Sequence, residues 1–404
     1  MTSRTARARI GLALAGGGPL GAIYEIGALC ALDEALQGLS LTQCEGYVGV
    51  SAGGFIAAGL ANGYTPRELC RAFIENLGPA REVFEPSLLV RPAVGEFARR
   101  AATLPGLLGS AAWHYAFGRR SLMGAIERLG RALPTGLFSN EQIHTRLAEL
   151  FSGPGRSNDF RTLGRRLVLV ATDLDSGSAA PFGQPGWDHV PISRAVQASA
   201  ALPGLFPPVE IDGRHYVDGA LKKTVHASVL LEQGLDLMIC LNPLVPFEAR
   251  EGDDRGPHRI PRIADGGLPV VLSQTFRSMI HSRLELGLRS YERAYPHTDI
   301  VLFEPEAHDA EMFLANTFSY AQRRRLAEHA YQSTRQALRT RSDDLAPRLA
   351  RHGITLDTAA LADTSRTLLD VKSASRRERS ARAMASLQLT LDRLERHLGS
   401  AQLR

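Results

Sequence analysis

The sequence predicts an α/β protein: a mostly parallel central sheet flanked by helices, with a helical C-terminal extension. Three observations carry that expectation. Short apolar runs of strand length alternate with longer stretches at helical spacing, the pattern of strand–helix units in a parallel sheet. Two of these runs end in glycine-rich turns that open into helices. From about residue 310 the chain turns charged and helical in pattern.

The elements follow in order. "RIGLALAG" (9–16) reads as a buried first strand ended by glycine, and "AIYEIGALCALDEAL" (22–36) as the helix after it. "GYVGVSAGGFIAAGLANG" (46–63) repeats the format, with a tight turn at Ser51 and then a helix of small residues. "RRLVLVATDLDSG" (165–177) is a third strand followed by turn residues. "VEIDGRHYVDGAL" (209–221) is a hairpin: Asp212-Gly213 supplies the turn, and the return strand runs into Asp218. "LDLMICLNPL" (235–244) and "HTDIVLFEP" (297–305) add two strands. Between them, "EGDDRGPHRIPRIADGG" (251–267) has the composition of a flexible surface loop.

Composition narrows the function classes. The four cysteines (Cys30, Cys44, Cys70, Cys240) lie far apart without C-x-x-C spacing. They suit reduced thiols in a cytosol better than a zinc site or a disulfide framework. The net charge is +5, and all but three of the 47 basic residues are arginine, the lysines being Lys222, Lys223 and Lys372. No basic stripe studded with aromatics accompanies them, so no nucleic-acid partner is expected. Arg4, Arg7 and Arg9 before an apolar stretch imitate a secretion signal, but the glycine triplet, Pro19 and Glu25 break it. No apolar run reaches the ~18 residues that cross a bilayer. A cytoplasmic protein is expected, peripheral at most on the inner membrane face.

Gly16, Gly18 and Gly21 fit the spacing G-x-G-x-x-G, which after a strand marks a dinucleotide-binding turn. That reading also needs an acidic residue at the end of the second strand to hold a ribose. A serine stands there instead, within Gly49-Val50-Ser51-Ala52-Gly53. A G-x-S-x-G between strand and helix puts its serine on a sharp turn, over a helix N-terminus that favours developing negative charge. A serine hydroxyl needs a partner to take its proton. The twelve histidines are scattered. His215, three residues before Asp218 on a strand, points to the opposite face, and His226 falls at a helix start. Asp218, ending an apolar strand before glycine, is the better candidate; Asp212 and Asp265, also before glycines, read as plain turn residues.

"GGGPLG" (16–21), "GVSAG" (49–53) and "DGA" (218–220), in that order, resemble the patatin-like phospholipases, as do "ATDLDSG" (171–177) and "ASAALPGLFPPVEIDGRHYVDGA" (198–220). The resemblance covers roughly residues 9–245 and the strand near 300. It implies a serine acyl hydrolase that cleaves carboxyl esters of lipids through a Ser–Asp dyad, with no catalytic histidine, cofactor or metal. Ser51 would be the nucleophile and Asp218 the base. The amides of Gly16, Gly17 and Gly18 would form the oxyanion hole. A non-catalytic lipid-binding relative and a transacylase are the alternatives within the family; a dinucleotide-dependent enzyme is the one outside it. One departure matters: Leu20 stands where the family commonly carries a basic residue, which points toward neutral acyl esters over anionic phospholipids.

The expected organisation is a catalytic domain over 1–310 and a helical extension over 311–404. Residues 79–125 form an apolar, arginine-rich insertion or lid. Its Leu104, Leu107, Leu108, Trp113 and Phe117, interleaved with Arg99, Arg100, Arg119 and Arg120, suit an acyl-chain pocket or a membrane surface. Near the C-terminus, Leu387, Leu391, Leu394 and Leu398 make one helical stripe, preceded by Arg376, Arg377, Arg379 and Arg382. It would pack on the body or on a second copy. The expected partners are therefore an acyl-ester substrate, a membrane surface and a homo-oligomer.

Overall fold

The computed structural model describes residues 8–77, 91–117, 132–222, 224–249, 262–315 and 320–369, excepting the side chains of 109–117, 269, 320 and 321. The chain forms two compact units, Met1–Thr364 and Ser365–Arg404. The leucine stripe at 387–398 lies outside the described residues, as do Arg119, Arg120 and the side chains of Trp113 and Phe117.

Eight strands form the central sheet: β1 (Ile10–Leu14), β2 (Gly46–Val50), β3 (Arg166–Asp173), β4 (Ala179–Phe182), β5 (Val209–Ile211), β6 (Arg214–Asp218), β7 (Leu237–Leu241) and β8 (Asp299–Phe303). The parallel pairings run β3–β2–β1–β7–β8. The β5–β6 hairpin and β4 are antiparallel additions on β3. The hairpin turn is Asp212-Gly213, both at positive φ (51° and 74°), as a two-residue turn matched to strand twist requires.

The longer helices are α1 (Gly18–Ala35), α2 (Ala52–Ala61), α3 (Val94–Phe117), α4 (Glu141–Phe151), α5 (Ile192–Ser199), α6 (Gly267–Ala294), α7 (Tyr320–Thr340) and α8 (Ser342–Ala350). Strand residues alternate between two buried faces. Ala13, Val48, Val50, Val168 and Val170 pack with Leu230, Met238, Ile280 and Leu284, which places α6 on that side. Leu12, Leu14, Tyr47, Leu167 and Leu169 are equally buried on the other side, with α2 against Leu169. Burying such side chains stabilises the fold by roughly 1.5–3 kcal/mol each. Continuous burial of every residue in β2 and β7 matches the unbroken apolar runs of a two-sided parallel sheet.

Helix α1 is buried nearly all round because α7 covers its outer side. The contact is close: a Cβ on Gly27 would lie 2.4 Å from the Ala327 carbonyl oxygen. Arg335 of α7, itself buried, bonds Glu34 on α1 and the carbonyls of Ala360 (2.8 Å) and Asp363 (2.7 Å). Residues 311–364 thus belong to the same compact unit as the sheet.

Several elements differ from the sequence reading, which also lacked helices α4 and α5. Helix α1 starts at Gly18, so the second half of the glycine loop is already helical, with Pro19 in the first turn where no amide partner is needed. The stretch read as a loop over 251–267 leads through a short 3-10 turn (Ile263–Gly266) into the 28-residue α6, which the sequence reading missed. Strand β4, which contains Pro181, was also missed. Within 79–125, residues 94–117 form α3, whose Val94, Phe97, Leu104 and Leu108 are exposed. Among the described residues, no helix is long and apolar enough to cross a membrane.

Candidate active site

Two strand ends build the site. β1 and β2 run parallel in the register Leu14↔Gly49, so the turns that follow them emerge side by side. After β1, Ala15 is held by the Leu241 carbonyl (3.0 Å), and Gly16-Gly17 turn into α1. After β2, Ser51 sits at φ 53°, ψ −123° and opens α2. A left-handed φ costs a non-glycine residue about 1–3 kcal/mol and is retained only where neighbours impose it. Here the two turns lock together, Gly53 donating to the Ala15 carbonyl at 3.1 Å. The flanking glycines are required by contact. A Cβ on Gly53 would stand 2.4 Å from the Ala15 oxygen, and one on Gly49 2.5 Å from the Gly54 Cα.

Sheet register brings Asp218 to Ser51. Val170 of β3 pairs with both Val50 and Pro181, and the next residue, Ala171, with both Asp218 and Ala180. A strand residue has two edges, and β4 occupies one of them. β2 and β6 therefore share the other edge end to end, with Val50-Ser51 arriving from one direction and Asp218 from the other. Gly219 fills the junction, where a Cβ would meet the Val170 oxygen at 2.1 Å.

Ser51 and Asp218 are both buried. The Ser51 side chain sits beside the Asp218 carboxylate and pulls its titration down, and the Ala220 amide donates to Asp218 Oδ1 at 2.9 Å. Burial pushes the Asp218 carboxyl up from 3.8 to about 6, against the two hydrogen bonds that pull it down. A buried carboxylate poised near neutrality beside a hydroxyl is suited to accept its proton.

The glycine loop lies over this pair. A Cβ on Gly16 would stand 3.0 Å from Ser51 Cβ and 3.6 Å from Ser51 Oγ. Neither α1 nor α2 has a side chain capping its start, and α1 carries no acidic residue in its first turn. Two helix N-termini with uncapped amides meet at one hydroxyl, which favours an anion there.

The patatin-like phospholipase family model matches residues 12–231, more than half of the chain. The chain belongs to the patatin-like phospholipase family. Membership supports lipid acyl hydrolase activity in general terms. Similar solved structures include VipD from Legionella pneumophila, with 16% identity, 83% of this chain and 67% of that chain covered, and a TM-score of 0.38. ExoU, of the type III secretion system of Pseudomonas aeruginosa, matches at 16% identity, covering 86% and 53%, TM-score 0.32. Human GIVD cytosolic phospholipase A2, in complex with methyl gamma-linolenyl fluorophosphonate, matches at 12%, covering 85% and 60%, TM-score 0.33. The chain thus spans between about half and two thirds of the length of these proteins.

Within this patatin-like frame, His215 is exposed while Asp218 on the same strand is buried. His226 is buried at φ 45°, two residues before a short helix at Ser228–Leu231, rather than in it. Leu20 is buried in α1. A cavity of about 510 Å³ lies elsewhere, lined by Glu96, Asn140, Glu141, Arg194 and Gln197 among others but by neither Ser51 nor Asp218. Its polar walls are mutually paired: Gln197 donates to Asn140 (3.0 Å) and Glu141 (2.9 Å), and Arg194 bonds Glu141 (3.1 Å). Arg99 and Arg100, expected to face lipid, both pair with Glu96, which also accepts from Thr135. The sequence reading missed Ser199, fully buried at the end of α5, whose Oγ accepts from the Ser51 amide at 2.8 Å. Only tertiary pairing across 148 residues reveals that role.

Proposed function

We propose that this protein is a serine acyl hydrolase of lipid carboxyl esters, working through Ser51 and Asp218 and a covalent acyl-enzyme. The observation that carries this is the pair of buried side chains, Ser51 and Asp218, set side by side beneath the glycine loop, with Asp218 raised to about 6. As Ser51 Oγ attacks the ester carbonyl carbon, its proton passes to Asp218. Charge develops on the carbonyl oxygen, which the amides of Gly16, Gly17 and Gly18 and the two helix starts would stabilise. Collapse expels the alcohol, which takes the proton from Asp218 and leaves the acyl group on Ser51. Water then attacks this ester, giving a proton to Asp218; release of the fatty acid returns the proton to Ser51.

The substrate reading favours neutral acyl esters and glycerides. Leu20 is apolar, so a phosphate-bearing head group would find no charge-assisted partner at this position beside the reacting pair. The exposed apolar face of α3 supports contact with a lipid surface at the membrane periphery. The decisive experiment is labelling with a fluorophosphonate probe. Wild type should carry the probe on Ser51, and Ser51→Ala should remain unlabelled and lose ester hydrolysis. Labelling that persists in Ser51→Ala overturns the assignment.

A further inference from the structure

The end of α5 and the loop after it touch both members of the dyad through different groups. Ser199 Oγ donates to the Val170 carbonyl at 2.6 Å. That bond orients the hydroxyl so that it accepts from the Ser51 amide at 2.8 Å. Two residues on, the Ala201 carbonyl accepts from the Asp218 amide at 3.0 Å. The loop is itself fixed to its helix, Ala200 donating to the Val196 carbonyl at 3.0 Å and Ala201 to that of Ala198 at 3.2 Å.

We propose that Ser199 and Ala201 form one clip that holds the dyad in register, and that Ser199 is a positioning residue for the nucleophile. This rests on reading Ser51 and Asp218 as the reacting pair. The Ser51 amide follows β2 into the buried interior, where its partner is the Ser199 hydroxyl rather than a strand carbonyl. There a donor without a partner would pull the turn toward a relaxed conformation. Ser199 supplies that partner from a site with 0% exposure, where no water can substitute. Because the Ser51 amide is committed to Ser199, it is not available to a developing oxyanion, which leaves that task to the glycine loop and the other amides at the two helix starts. Asp218 is tied on its other side as well, Thr172 Oγ1 donating to its carbonyl at 3.1 Å. The hydroxyl and carboxylate thus meet because one short segment grips both backbones.

The test compares wild type, Ser199→Ala and Ser199→Thr in two readouts. Hydrogen exchange of the Ser51 amide reports the clip without any substrate. Steady-state hydrolysis of a p-nitrophenyl ester reports the reacting geometry. In Ser199→Ala, exchange should speed at least about tenfold. There kcat should fall roughly 10- to 100-fold with KM nearly unchanged, the size expected for a small misplacement of reacting atoms. Ser199→Thr, which keeps a hydroxyl, should recover most of both. Unchanged exchange in Ser199→Ala, or a lowered melting temperature with kcat and KM unaltered, overturns the proposal. If Ser199→Ala does not fold, Ser199→Cys, whose thiol accepts only weakly, serves the same comparison. A wild type that is neither labelled at Ser51 nor active overturns the reading of the dyad instead, while the exchange measurement still decides the clip.

Discussion

Replacing Asp218 by asparagine should remove activity and stabilise the protein at the same time. Burial raises the carboxyl from 3.8 to about 6. The neutral acid is therefore favoured in the fold. The stability this gives is fully present below pH 3.8 and is lost as pH rises through about 6. At about 1.36 kcal/mol per pH unit, holding the charge costs the native state roughly 3 kcal/mol above pH 7. Asparagine is never charged, yet its oxygen can still accept from the Ala220 amide and its NH2 can face the Ser51 hydroxyl. At pH 8 Asp218→Asn should gain roughly 3 kcal/mol, about 4 °C for a body of this size. By pH 5 the gain should shrink to about half. Hydrolysis should fall about 10²- to 10⁴-fold, the range for losing a general base. In the wild type, kcat/KM should rise with pH through about 6 and then level, as the base form appears. The assay pairs thermal melts at pH 5 and 8 with ester hydrolysis over pH 4.5–8.5. A melting gain independent of pH, or hydrolysis close to wild type, refutes the reasoning.

Two further outcomes follow from packing. Helix propensity alone makes Gly27→Ala stabilising by about 1 kcal/mol, but the Ala327 carbonyl 2.4 Å from the new Cβ should reverse the sign; a denaturant midpoint at or above wild type would show that α1 and α7 can part freely. Leu104→Ser with Leu108→Ser on the exposed face of α3 should cut co-flotation with lipid vesicles about tenfold while leaving p-nitrophenyl ester hydrolysis intact; an unchanged vesicle-bound fraction removes α3 as the lipid contact.

The parallel strands were legible because two-sided burial demands unbroken apolar runs, as in "GYVGV" and "LMICL". The hairpin was legible because Asp212-Gly213 is among the few pairs that accept two positive φ values. Helix α6 was not. Its first half exposes Leu268, Val271, Leu272 and Phe276, so its apolar pattern does not separate an inner from an outer face. The buried arginine of α7 was equally silent, since Arg335 is accommodated largely by Glu34 and by carbonyls from a distant segment.

Ser51, Asp218 and the glycine loop could be named from local chemistry: G-x-S-x-G and glycine triplets impose backbone geometry that few other residues tolerate. What local chemistry cannot carry is register. That Ser51 and Asp218 meet depends on β2 and β6 sharing one edge of β3, which brings together two strands more than a hundred residues apart. The rise of Asp218 toward neutrality and the grip of Ser199 depend on burial and on hydrogen bonds that close only when the sheet forms. A sequence fixes which groups are present and how the backbone bends beside them. Desolvation and long-range contact act between segments, and only the assembled tertiary structure decides them.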